Sequence, residues 1–76
     1  MEKNILRKVW KDLEQKNNKI AFRVINWLDK DKMRGIILND RNKYFYFESS
    51  YMPDYVYNYL IKYISKKYKA EYLRII

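Results

Sequence analysis

Cysteine and histidine are both absent from this chain, and glycine and proline occur once each. Without cysteine there is no disulfide framework, and without either residue type the usual ligand sets for zinc, haem and iron–sulfur clusters are missing. Most nucleophile–base catalysis draws on the same two side chains, and one glycine cannot build a phosphate-cradling loop. Acidic residues are also few, nine against seventeen Lys and Arg. Asp29 and Asp31 stand two apart in a polar tetrad, with Asp40 in the next loop; these loops fall at opposite ends of an intervening strand and read as solvated turns. The expectation is therefore a non-enzymatic domain with no cofactor and no metal. No apolar run approaches the roughly 20 residues of a membrane span, and no segment shows the basic, apolar, small-residue order of a signal peptide. A cytoplasmic protein is expected.

What the chain does have is aromatic side chains and positive charge. Nine Tyr, three Phe and two Trp in 76 residues make 18% of the sequence, and a single small core of this size must rely on burying them. The net charge is +8 and the pI about 9.7. So much charge on so small a body favours acidic partners: nucleic acid, an acidic protein surface or, least of the three without a basic amphipathic helix, an anionic membrane surface. Lys, Asn, Ile and Tyr fill 37 of the 76 positions, a bias that an AT-rich genome also produces.

The clearest periodicity lies in residues 51–69. Val56, Leu60 and Ile64 recur every four positions, with Tyr51, Tyr55, Tyr59 and Tyr63 in a second row, which predicts a helix whose tyrosines half-bury against a sheet. Pro53 suits its first turn and Asp54 the positive end of its dipole; Ser49 or Ser50 is a candidate near its N-cap, and lysines crowd its last turns. Residues 3–16 place Ile5, Leu6, Val9, Trp10 and Leu13 on one helical face, and Asn17 and Asn18 suit a helix C-terminus. Residues 19–32 fit both periods. Their β-branched and aromatic content, followed by the DKDK turn, favours a strand; a helix is the competitor, with only Phe22 misplaced. Residues 33–39 and 43–48 predict a β-hairpin across a turn at Asn39, Asp40, Arg41 and Asn42, with Phe45 and Phe47 toward the core and Tyr44 and Tyr46 opposite. Gly35 marks a bulge or a close packing contact. The tail alternates Tyr72 and Arg74 against Leu73 and Ile75 and predicts a last strand. The fold class is α+β, a single domain over residues 1–76 in the order α-β-β-β-α-β, with an antiparallel sheet covered on one face by two helices.

Two constellations carry candidate function. Arg34, Arg41 and Lys43 flank Tyr44 and Tyr46, the mixture of cations and stacking planes used by single-strand binders. Lys62, Lys66, Lys67 and Lys69 crowd the end of the tyrosine helix, and Lys62 and Lys66 share a face from which they can straddle phosphates. These residues predict a basic domain that contacts the nucleic-acid backbone. The alternative is a small modulator or inhibitor of the kind that phages and mobile elements encode, docking on a nucleic-acid-handling enzyme or another host protein through a tyrosine-rich basic surface. In order of elements alone, helix, three strands, helix resembles the double-stranded-RNA-binding domain. Its loop histidine is absent and the lysine cluster sits at the wrong end of the second helix. The competing α-α-β-β-α reading resembles winged-helix proteins, but without a recognition helix before the hairpin. No family is assigned.

Overall fold

A computed structural model of the protein describes residues 2–30 and 32–73. In chain order the elements are β1 (Lys3–Asn4), α1 (Leu6–Lys16), α2 (Lys19–Leu28), β2 (Met33–Leu38), β3 (Tyr44–Ser49), α3 (Asp54–Tyr68) and β4 (Glu71–Tyr72). They form a small α+β domain with one four-stranded sheet in the order β1-β2-β3-β4.

The segment expected as a first strand is the helix α2. Asn18 caps it through its side-chain oxygen, which accepts from the Ala21 N–H at 2.9 Å. Ala21, Val24, Ile25 and Leu28 then bury at the i, i+3, i+4, i+7 spacing of one helical face, together with Trp27. Strand propensity loses here because a cap and a complete apolar stripe favour the helix, and only Phe22 is left 46% exposed. α1 begins later than expected because Lys3 and Asn4 pair with Leu38 and Ile37 as an edge strand. At its other end Asn17 takes the left-handed conformation that suits it to terminate a helix.

The sheet is mixed where an antiparallel one was expected. β1 and β3 flank β2 antiparallel, whereas β4 pairs parallel to β3, with Tyr44 opposite Glu71 and Phe45 opposite Tyr72. The cause is the crossover: α3 carries the chain back to where β3 started, so the next strand must run the same way. Arg74 and Ile75, expected in this strand, lie outside the described residues, as does Asp31. Pro53 stands at the N-cap of α3 with no side-chain cap bond; the Ser50 hydroxyl instead donates to the Lys32 carbonyl.

One core gathers Val9 and Leu13 of α1, Val24 of α2, Val56, Leu60 and Ile64 of α3, and Ile36, Leu38 and Phe45 of the sheet, all at most 2% exposed. Phe47 packs against it on the same face. The opposite face of the hairpin carries Tyr44, Tyr46 and Glu48. Gly35 serves as both a bulge and a close contact: the β2–β3 register shifts between Met33 and Gly35, and a Cβ on Gly35 would lie 2.6 Å from the Asn4 amide nitrogen.

Candidate functional site

The turn between β2 and β3 is held by Asn39. Its side-chain oxygen accepts from the Lys43 N–H at 2.7 Å and the Tyr44 N–H at 3.1 Å, while Asn42 turns the chain with a positive φ of 55°. α3 ends at Lys69, also left-handed, and the chain at once docks on the hairpin: the Glu71 N–H donates to the Lys43 carbonyl at 2.8 Å. The consequence is a meeting of residues far apart in sequence. Lys43, Tyr44, Lys69 and Glu71 line one shallow depression of about 210 Å³. Tyr44 is 44% exposed there. Arg41 is exposed in the same turn, and Lys66 is exposed in the last turn of α3 at the same end of the domain. None of these four cations has a hydrogen-bonded or ionic partner through its side chain among the described residues.

The other expected site residues are elsewhere. Arg34 sits at the opposite end of β2, in a cleft with Lys32, Glu48, Ser49 and Ser50. Lys62 lines a separate depression with Ile20, Tyr55, Asn58, Tyr59 and Ile61. Tyr46 does not share the cations of Tyr44: its hydroxyl is pushed above the ordinary tyrosine value by desolvation, then by the negative charges of Glu2 and Glu48. A phosphate approaching that ring meets acids.

Lys67 is not a free cation. Its ammonium is in an ion pair with Asp12 of α1 and lies 3.3 Å from the Tyr63 hydroxyl, which itself donates to Asp12 at 2.9 Å. The Lys67 hydrogen bond is the main cause that holds the Asp12 carboxyl below its ordinary value, and the same bond raises the Lys67 ammonium. Lys16 lies 5.1 Å from the Tyr63 ring centre, so the ring is flanked by charge. Contacts of the tyrosine row run to α1 and α2, in place of the expected sheet: Tyr63 meets Asp12, and Tyr55 lies under the Arg23 guanidinium at 4.5 Å. Only Tyr51 of this row is fully in water, at 82% exposure. The tyrosine that does meet the sheet is Tyr57, edge-on to Phe47 and Tyr72 at 6.2 and 5.5 Å.

A further concavity lies between α1 and the end of α2, lined by Asn4, Leu6, Arg7, Trp10, Lys11 and Leu28. The sequence carries a partial signal for it, since Leu6 and Trp10, and Arg7 and Lys11, are two i, i+4 pairs on neighbouring stripes of one helix. The contribution of Leu28 depends on how α2 packs. No protein family matches this chain, and comparisons with curated proteins and with solved structures likewise find no match.

Proposed function

We propose that this protein is a small, non-enzymatic nucleic-acid-binding domain of the cytoplasm that grips the phosphate backbone through Lys43 and Lys69, assisted by Arg41 and Lys66, with Tyr44 as a stacking plane. One observation carries the reading: Lys43 and Lys69 line a single depression with the exposed Tyr44, and neither forms an ion pair among the described residues, although Glu71 lines the same depression. Cations already free of partners bind phosphate without first breaking an ion pair, and a ring at their side accepts an unstacked base. Arg34, Lys62 and Lys67 have no part in this grip.

The test is an anisotropy titration of labelled single- and double-stranded oligonucleotides at two salt concentrations. Binding weakens with salt, and for single strands each lost phosphate contact lowers the slope of log affinity against log salt by about 0.7. The Lys43→Ala/Lys69→Ala variant therefore loses about 1.4 of that slope, by the same counterion release. Absence of binding at low salt, or an unchanged slope in the variant, rejects the reading.

A second reading is favoured by Phe22 and Tyr51, exposed at 46% and 82%, and by the apolar depression around Tyr55 and Tyr59. On that reading the protein is a modulator that docks on another protein through a tyrosine-rich basic surface. A pull-down with nuclease-treated lysate separates the two: a partner retained after nuclease supports the modulator, and partners lost with the nucleic acid support the first reading.

A further inference from the structure

The concavity between the first half of α1 and the end of α2 has an apolar floor and a basic rim. Leu6, Trp10 and Leu28 line a space of about 620 Å³, and Arg7 and Lys11 stand one helical turn apart at its edge. The Asn4 and Trp10 side chains that line it already have partners. The Trp10 indole N–H donates to the Asp29 carboxylate at 2.9 Å. The Asn4 side chain accepts from the Leu6 and Ile36 N–H groups and donates to the Arg34 carbonyl. Arg7 and Lys11, by contrast, are exposed and have no side-chain partner among the described residues. We propose that this groove is a docking site for an acidic peptide segment that carries one bulky apolar side chain.

The charge and hydrogen-bond inventory selects that occupant. A nucleobase would find donors only in Arg7 and Lys11 at the rim, and the rest of its polar edge would lie against Leu6, Trp10 and Leu28 without partners, which is unfavourable in a desolvated site. An aliphatic or aromatic side chain has no such demand and covers Leu6, Trp10 and Leu28. Carboxylates near it are drawn to the Arg7 guanidinium and the Lys11 ammonium, carried one helical turn apart on the rim. The site is distinct from the phosphate-gripping end, so either can fail without the other.

The test is an NMR titration of the full chain with a short, blocked glutamate peptide bearing one central leucine. The expected result is movement of the Leu6, Arg7, Lys11 and Leu28 amides and the Trp10 indole N–H. Arg7→Glu/Lys11→Glu weakens binding by about tenfold or more, the loss expected of charge-assisted contacts, and a lysine peptide with the same leucine now binds this variant. The variant keeps its fold, because both positions are exposed and an acid in the first turn of α1 suits the helix dipole; an unchanged Trp27 indole resonance checks this. Equal binding of an all-glutamate peptide overturns the proposal. So does shifting of the same resonances by oligothymidylate, or by raising the concentration of the protein alone, which would make nucleic acid or a second copy the occupant.

Discussion

Replacing Gly35 by alanine isolates the contact that joins the edge strand to the sheet. Gly35 has an ordinary negative φ, so alanine meets no backbone penalty, and the unfolded chain loses freedom; this alone stabilises by about 0.4–1 kcal/mol. The new Cβ, however, falls 2.6 Å from the Asn4 amide nitrogen and 3.0 Å from its Cγ, so the side chain must leave. Asn4 cannot swing away freely. Its oxygen accepts from the Leu6 N–H at 3.0 Å, capping the start of α1, and from the Ile36 N–H at 3.2 Å, which continues the ladder just past the two-residue β1. Loss of a capping oxygen costs about 1 kcal/mol, and a part-buried N–H left without its partner about 1 more. The net effect of Gly35→Ala is a destabilisation of about 1 kcal/mol, or roughly 4–8 °C in Tm for a domain of this size. In an Asn4→Ala background those bonds are already gone and the same change becomes stabilising. Urea unfolding of the four variants, followed by tryptophan fluorescence, reads the coupling as about 2 kcal/mol, the sum of the two bond losses. If Gly35→Ala costs the same with and without the Asn4 side chain, the steric account is wrong.

The remaining predictions concern charge and the exposed ring. Asp12, held low chiefly by Lys67, contributes stability that is lost as pH falls below about 4, and Lys67, held high by the same bond, contributes stability that is lost as pH rises past about 10.5. Asp12→Asn therefore destabilises by less than about 1 kcal/mol at neutral pH, since both ends are partly in water and screened. Its deficit relative to the parent shrinks toward both extremes in urea midpoints measured across pH; a constant deficit refutes the linkage. Tyr44→Ala leaves stability within about 0.5 kcal/mol, being a surface change, yet weakens single-stranded oligonucleotide binding by about 1–3 kcal/mol through lost stacking and duplex binding by less. Equal losses on both oligonucleotides would show that Tyr44 does not stack.

Patterning alone determined the elements whose burial is one-sided and continuous. Val56, Leu60 and Ile64 specify the buried stripe of α3, Val9 and Leu13 that of α1, and the alternation at 44–47 sends Phe45 inward, because a helix or strand with one apolar row has one way to hide it. Gly35 announced a special contact since its missing side chain has no other local use. Residues 19–28 were legible only in part: two periods fit, and the decision lay with Asn18 at the cap and with a helical face that α3 and α1 cover. Tertiary structure alone decided the two-residue strands β1 and β4, which are too short to carry a period and exist because neighbouring backbone offers hydrogen bonds. It also decided which cations are free. Lys66 and Lys67 are adjacent and look alike in sequence, yet one stands in water and the other is bound by Asp12, while Lys43 and Lys69 meet only because the crossover through α3 returns the chain beside β3. Local spacing records which side chains share a face, whereas the charge a partner encounters depends on which distant faces the packing brings together.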